Sequence, residues 1–240
     1  MTTHYSQIAL IFKQNQFMRS CAPLLITLCM LLPVAVFAQA TDKRREQLDV
    51  QHYIFNITLN DDNDTITGTA NITIKFLQPC TGFDLDLVKQ KEGGKGMVVD
   101  YIITEGRGVR FSHEGETLHL TVDAKTGNVI SYTIHYKGIP ADGLIIARNK
   151  YNHRTFFADN WPNRAHYWLP CIDHPSDKAP VEFIVRAPDH YQVVSNGVLV
   201  EETSLPDHCK LTHWKETVPL PTKIMVIGVE IGRASCRERV

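Results

Sequence analysis

The sequence predicts an all-β protein, built as a β-sandwich or as saddle-like antiparallel sheets, with one long irregular loop. Three observations support this class. Apolar and polar residues alternate along several segments that are rich in β-branched and aromatic side chains. Turn residues separate these segments at short intervals, and no segment after residue 40 repeats apolar residues at helical spacing. Alternation without helical periodicity indicates packed sheets that each bury one face.

The first predicted strand runs from Tyr53 to Leu59, where large apolar residues occupy every second position. The same alternation returns from Thr69 to Phe76, and the polar residues between the two segments predict a hairpin over residues 60–68. The further β-like segments are 83–88, 98–103, 118–122, 130–136, 181–186, 191–194 and 223–229. The pair Asn196-Gly197 predicts another hairpin turn.

Residues 137–180 form the predicted irregular loop. Gly and Pro mark both ends of this stretch, and its middle is rich in Asn, His, Arg and aromatic residues without alternation. Long loops held on a rigid sheet scaffold often carry binding residues. We therefore expect the functional residues of this chain to lie there.

The first 40 residues predict a signal peptide. Arg19 supplies a positive charge before an apolar run over residues 22–37, and the small residues around Ala38 offer cleavage positions. A retained membrane anchor is the alternative, because the run is about as long as the shortest spans. The prolines within the run and the small residues that follow it favour cleavage. Met18 is an alternative start of translation. Export to the periplasm or the extracellular space follows, without a stable membrane anchor.

The remaining sequence divides into one domain and a short tail. Residues 41–231 carry every predicted strand and are long enough to bury a substantial core. Residues 232–240 break the apolar pattern and pack three Arg into nine residues. This segment resembles adapter-derived sequence at the end of an open reading frame and predicts an artefactual tail; a genuine basic tail is the alternative.

Charge and cysteine content exclude several classes of protein. The 25 Lys and Arg residues nearly balance the 26 Asp and Glu residues, so nothing predicts binding to nucleic acid or to an anionic membrane. The predicted domain holds Cys80, Cys171 and Cys209, which are too few for a disulfide framework and lack the spacing of a zinc site. They are either buried free thiols or include one disulfide.

The sequence contains no catalytic or metal-binding motif. A zinc peptidase needs two His one helical turn apart with a Glu between them. The nearest match, His-Glu-Gly-Glu-Thr at residues 113–117, ends in Thr and fits a hairpin tip. No Gly-x-Ser-x-Gly elbow and no Gly-rich phosphate loop occurs, and the acidic run over residues 61–64 predicts a turn rather than a calcium loop. We predict no catalytic residue and no bound metal in this chain.

One segment of the irregular loop resembles a known family. Residues 157–175 read Phe-Ala-Asp-Asn-Trp-Pro-Asn-Arg-Ala-His-Tyr-Trp-Leu-Pro-Cys-Ile-Asp-His-Pro, and the flanks at residues 178–183 and 194–197 agree with the same family. They are similar to the N-terminal domain of the aminopeptidase N family of zinc metallopeptidases, where a Pro-Cys-x-Asp-Glu-Pro segment closes a substrate-binding loop. His174 replaces the Glu of that motif. The similarity covers residues 48–229.

This resemblance implies the first of two functions. The parent protein would be an exported zinc aminopeptidase that removes N-terminal residues from peptides, with zinc held by a His-Glu-x-x-His motif and a distant Glu beyond residue 229. This chain would be its N-terminal fragment, which borders the substrate channel, is inactive alone and binds no zinc itself. Its partners would be peptide substrates, bound together with the missing catalytic domain.

The resemblance also implies substrate-binding residues. The family places an acidic or amide side chain of this domain at the free α-amine of the substrate, and the corresponding positions here are Asp159 and Trp161. Asp159 keeps an acceptor for an ammonium group, whereas Trp161 offers only a ring face. The alternative is that Asp159 caps its own loop. A further set is interpreted as structural parts of the loop: Arg164, Pro170, Cys171, Asp173, His174 and Pro175.

A second function stays open. A stand-alone secreted β-sandwich that binds carbohydrate or protein would use the same architecture without catalysis, with Trp161, Tyr167 and Trp168 as contacts. The two functions predict different genes. The first predicts a coding sequence that continues into a zinc domain, and the second predicts a stop codon near residue 230.

Overall fold

The structure is a computed structural model that describes residues 42–231. The predicted signal peptide and the predicted tail lie outside the described residues, so both stay predictions. Secondary structure begins with a short helix, α1 (Arg44–Gln47), and 3-10 turns occur at Ala165–Tyr167 and Thr222–Ile224. The strands are β1 (Leu48–Thr58), β2 (Ile66–Phe76), β3 (Cys80–Asp86), β4 (Gly96–Thr104), β5 (Arg107–Gly108), β6 (Phe111–Glu114), β7 (Thr117–Ala124), β8 (Val129–Ile139), β9 (Leu144–Arg148), β10 (Arg154–Ala158), β11 (Ala179–Pro188), β12 (Gln192–Ser195), β13 (Val198–Leu205), β14 (Cys209–Leu220) and β15 (Ile227–Glu230).

The strands form three sheets. An eight-stranded sheet has the order β13-β14-β11-β1-β2-β8-β4-β5, a four-stranded sheet the order β12-β15-β10-β9, and a three-stranded sheet the order β3-β7-β6. Neighbouring strands are antiparallel except β1 and β11, which run parallel with Tyr53 opposite Val181. The predicted all-β class is therefore confirmed. Among the described residues, no helix has the length and hydrophobicity that crossing a membrane requires.

A single hydrophobic core draws residues from all three sheets. The alternation on β1 turns Tyr53 and Phe55 inward, and both are fully buried. The three-stranded sheet contributes Phe83, whose ring centroid lies 5.6 Å from that of Phe76 on β2. The four-stranded sheet contributes Phe156, which is 1% exposed. Since burying one such side chain is worth about 1.5–3 kcal/mol, this core is the main source of stability.

The irregular loop is shorter than predicted. Residues 144–148 and 154–158 form β9 and β10, a hairpin that belongs to the four-stranded sheet. Each strand is only five residues long, and alternation over so short a run cannot be distinguished from irregular sequence. The irregular part is therefore the segment over residues 159–178.

The strands near the C-terminal end of the described region also differ from the prediction. β13 and β14 were not predicted, because most of their residues are exposed or half-buried and a strand without a buried face shows no alternation. The pair Asn196-Gly197 is not a hairpin turn, since it connects β12 of the four-stranded sheet to β13 of the eight-stranded sheet. The predicted strand over residues 223–229 is a 3-10 turn followed by β15.

Two side chains hold the acidic turn between β1 and β2: Arg154 on β10 of the four-stranded sheet and Tyr191, which directly precedes β12. The Tyr191 hydroxyl donates a hydrogen bond to the Asp61 carboxylate at 2.5 Å. Arg154 donates to the Asp64 carboxylate and, at 2.6 Å, to the Asn63 carbonyl. These contacts give the acidic run a structural role. Within residues 42–231, no group of His, Cys, Asp and Glu has the geometry to hold a metal ion.

Candidate functional site

The candidate site is the crossover loop, residues 159–178, which leaves β10 in the four-stranded sheet and enters β11 in the eight-stranded sheet. Its entry is exposed, whereas its middle is buried. The buried residues of its middle are Ala165, His166, Trp168, Leu169, Pro170, Cys171 and Ile172. The middle of the loop is therefore anchored in the core, and its exposed residues lie mainly at its start.

Asn160 fixes the entry of the crossover loop. The residue is 1% exposed, and its amide nitrogen donates hydrogen bonds to the carbonyl oxygens of Met225 at 2.6 Å and Thr222 at 3.3 Å. Its amide oxygen accepts a hydrogen bond from the Trp168 indole nitrogen at 2.9 Å. One side chain thus joins the start of the loop, its middle and the segment before β15.

The exposed entry carries a charged cluster of Asp142, Asp159 and Arg164. Arg164 donates to an Asp159 carboxylate oxygen at 2.5 Å and to an Asp142 carboxylate oxygen at 3.3 Å. Its Nε donates to the Trp161 carbonyl at 2.6 Å. Two carboxylates and one guanidinium leave an excess of negative charge, and the Asp159 side chain is 48% exposed. This cluster can therefore attract a cationic group.

Trp161 lies next to this cluster in the chain, and its side chain faces solvent. The residue is 60% exposed. The Lys223 ammonium lies 4.5 Å from the centroid of the Trp161 ring, which is a cation–π contact. The entry of the loop thus combines an aromatic surface with carboxylates.

Cys171 belongs to the buried middle of the loop, directly after the buried Pro170. It exchanges two backbone hydrogen bonds with Asp86 at the end of β3, at 2.7 and 3.1 Å. The Asp86 carboxylate accepts hydrogen bonds from Arg44 at 2.7 and 2.9 Å and from the Asp173 amide at 2.8 Å. Burial raises the pKa of the Cys171 thiol, which keeps it protonated. The cysteines within residues 42–231 are all free thiols.

Asp173 organises hydrogen bonds on the inner side of the loop. One carboxylate oxygen accepts from His166 Nδ1 at 2.7 Å, and the other accepts from the Thr222 hydroxyl at 2.7 Å. Burial opposes protonation of His166, but the hydrogen bond to Asp173 and the nearby negative charges of Asp173, Asp86 and Glu116 together outweigh it, so the pKa of His166 is raised. The Nδ1 of His174 accepts a hydrogen bond from the Ser176 amide at 3.2 Å.

Asp177 is a buried carboxyl group at the end of the loop, two residues after the half-buried Pro175. It is 5% exposed, and one of its oxygens accepts a hydrogen bond from the Tyr53 hydroxyl at 3.2 Å. The Tyr53 oxygen in turn accepts a hydrogen bond from the Ile172 amide at 3.1 Å. Burial raises the pKa of Asp177 to about 6. This carboxyl group therefore titrates below neutral pH inside the folded domain.

Gly143 allows the chain to pass close to the loop, and its replacement is a test of this approach. Its φ is +75°, and a Cβ atom there would lie 2.1 Å from the Arg164 carbonyl oxygen. We expect Gly143→Ala to lower the free energy of unfolding by about 2–4 kcal/mol, because backbone strain and a backbone clash add. Gly127→Ala is the control, since its φ of +85° is equally unfavourable but its surroundings are open. Equal losses in urea denaturation of the two variants would contradict the clash.

The structure separates the predicted site residues into two groups. Asp159, Trp161 and Arg164 lie together at the exposed entry, and Arg164 holds Asp159 directly. The other predicted residues lie in the buried or half-buried remainder of the loop: Pro170, Cys171, Asp173, His174 and Pro175. Sequence reasoning missed Asp142, Asn160, Asp177 and Lys223 as parts of the loop's contacts. Among these four, only Asn160 could have been suspected from the sequence, because it stands between Asp159 and Trp161.

Comparison with known proteins identifies the family of this chain. The Peptidase M1 N-terminal domain family matches residues 49–224. The chain belongs to this family. As an M1 N-terminal domain it is similar in sequence to glutamyl aminopeptidase of Sus scrofa, with 24% identity over 201 residues, which cover 74% of this chain and 20% of that protein.

In structure, the M1 N-terminal domain is similar to an M1 zinc metallopeptidase from Deinococcus radiodurans, with a TM-score of 0.66 and 25% identity over 77% of this chain and 42% of that one. Native leukotriene A4 hydrolase from Saccharomyces cerevisiae shares the fold at 16% identity, with a TM-score of 0.64 over 83% of this chain and 31% of that one. The chain thus spans less than half the length of these relatives. Residues 42–231 offer no donor set that fits the zinc of such peptidases, so no step through zinc is assigned to them.

Proposed function

We propose that this chain is the N-terminal β domain of a zinc aminopeptidase that removes N-terminal residues from peptides. The match of residues 49–224 to the M1 N-terminal domain carries this proposal. The relatives from Sus scrofa and Deinococcus radiodurans are an aminopeptidase and a zinc metallopeptidase, and this chain covers only part of each. In this proposal the zinc and its ligands belong to a further domain of the parent protein.

The entry of the crossover loop borders the substrate channel in this proposal. Arg164 engages one oxygen of Asp159, and among the described residues no hydrogen bond reaches the other. That oxygen accepts the free α-ammonium group of a peptide, while Arg164 keeps the carboxylate in place. Trp161 supplies an aromatic surface next to the bound N-terminal residue. A merely structural ion pair between Asp159 and Arg164 is the competing role.

An exposed apolar row supports the proposal that further polypeptide covers the four-stranded sheet. Ile145 on β9 is paired with Phe157 on β10, Phe157 with Gly228 on β15, and Gly228 with Val194 on β12. The three large side chains are 45–56% exposed. Adjacent exposed apolar side chains on one sheet face form a patch of the kind that contacts between polypeptides cover.

Export by cleavage of the signal peptide over residues 1–40 is part of the same proposal. Its support is the apolar run over residues 22–37 behind Arg19. N-terminal sequencing of the protein recovered from the periplasm or medium tests it. A mature start near residue 41 is expected, and an uncleaved protein in the membrane fraction contradicts it.

The decisive experiment is to sequence the gene past codon 231. We expect an in-frame His-Glu-x-x-His motif and a later Glu, because zinc and the motif Glu together generate the attacking water. The purified 240-residue chain should release no aminoacyl reporter, with or without added zinc, whereas a complete M1 aminopeptidase serves as the positive control. A stop codon near residue 230 would overturn the proposal and favour the stand-alone binding module. Zinc-dependent hydrolysis by the chain alone would contradict the assignment of catalysis to another domain.

A further inference from the structure

A cavity lies between the edge of the eight-stranded sheet and the three-stranded sheet, and it shares no residue with the crossover loop. Its volume is about 440 Å³, which falls within the range of small-molecule sites of about 300–1,000 Å³. The turn from β4 to β5 and the chain after it form one wall, and β7 and β8 supply the rest. Its apolar lining comes from Val109, Val122, Ile130 and Tyr132.

The walls of this cavity are fixed by hydrogen bonds. The Val109 amide donates to the Ile102 carbonyl at 2.8 Å, and the Thr121 amide donates to the Arg110 carbonyl at 2.9 Å. The Thr104 hydroxyl donates to the Ser131 carbonyl at 2.9 Å. The backbone of the walls is therefore already in place, and a ligand has to order only the side chains that it contacts.

Charged side chains of both signs surround the apolar lining. Glu105 comes from the turn between β4 and β5, Arg107 from β5, Arg110 from the chain that follows, and Asp123 from β7. All four residues are exposed, and none forms an ion pair with another residue in the described range. Two positive and two negative groups that stay more than ion-pair distance apart can be bridged by a molecule that carries both charges.

We propose that this cavity binds a small zwitterion with an apolar side chain, that is, a free apolar α-amino acid. The guanidinium groups of Arg107 and Arg110 match a carboxylate, and Glu105 and Asp123 match an ammonium group. The apolar lining takes the side chain. A simple anion leaves the two carboxylates facing it, and a neutral apolar molecule leaves all four charges unused, so the zwitterion fits best.

The test is calorimetric titration of the 240-residue chain with L-leucine, with L-leucinamide and N-acetyl-L-leucine as matched ligands that each lack one charge. We expect L-leucine to bind at least about tenfold more tightly than either analogue. L-Leucinamide binding as tightly as L-leucine would overturn the role of the arginines, and equal binding of N-acetyl-L-leucine would overturn the role of the carboxylates.

Variants connect this binding to the cavity. Arg107→Gln combined with Arg110→Gln should weaken L-leucine binding at least about tenfold, since two charge-assisted contacts are lost. Arg45→Gln removes an exposed arginine on α1 and should leave the affinity unchanged. Both altered arginines at the cavity are exposed, so the double variant should unfold at the temperature of the unaltered chain. Unchanged affinity in the folded double variant overturns the proposal, and because no catalysis is measured, this result is independent of the proposed function.

Discussion

Asn160→Ala should lower the free energy of unfolding by about 3–5 kcal/mol, because three hydrogen bonds lose their partner inside the protein. The substitution strands the Trp168 indole nitrogen and the Met225 carbonyl oxygen, and it leaves the Thr222 carbonyl oxygen with only the hydrogen bond from the Met225 amide. Each buried polar group left without a partner costs about 1–3 kcal/mol. Removal of the amide also leaves a small void next to the Trp168 ring, which adds to the loss.

Urea denaturation of both proteins measures this effect directly. Asn163→Ala is the matched control, since Asn163 lies in the same loop, is exposed and should change stability by less than about 0.5 kcal/mol. Hydrogen exchange adds a local readout, because the loop and the turn before β15 should lose protection together. Equal stability of the two Asn variants would mean that the Asn160 side chain does not hold the loop.

The strands could be predicted from the sequence where one face of the sheet is buried and the other faces solvent. β1 and β2 show the alternation clearly, because Tyr53 and Phe55 lie in the core while Asn56 and Asn71 lie on the outer face. β13 has no buried residue, so its sequence carries no alternation to read. β1 and β11 pair in parallel although the chain between them is long, and such a pairing leaves no local signal.

The sequence indicated which segment holds the candidate site, but not which distant residues contact that segment. The resemblance pointed to the stretch that holds Asp159 and Trp161, and both residues lie at the exposed entry of the loop. The Arg164 contact with Asp142 joins residues that are 22 positions apart, and the Asn160 contact with Met225 joins residues 65 positions apart. Such contacts follow from the order of strands in the sheets, which no local pattern encodes.

The burial of Asp177 should make this domain less stable as the pH rises through about 6. Its pKa is about 6 in the folded chain and has an ordinary value of 3.8 for an unfolded one. The folded state therefore binds the proton more tightly, so the stabilisation is fully present below pH 3.8 and is lost as the pH rises through about 6. A difference of this size corresponds to about 3 kcal/mol, since one pKa unit is worth about 1.4 kcal/mol.

Asp177→Asn removes this dependence, because an amide carries no charge at any pH and its oxygen still accepts the hydrogen bond from Tyr53. We expect the stability of the variant relative to the unaltered chain to increase by about 3 kcal/mol between pH 3.5 and pH 8. Urea denaturation across this range measures it, and the other titrating groups cancel in the difference. The control Asp62→Asn makes the same substitution at an exposed position outside the loop. A flat difference for Asp177→Asn would mean that solvent reaches this carboxyl group and that the loop does not close over it.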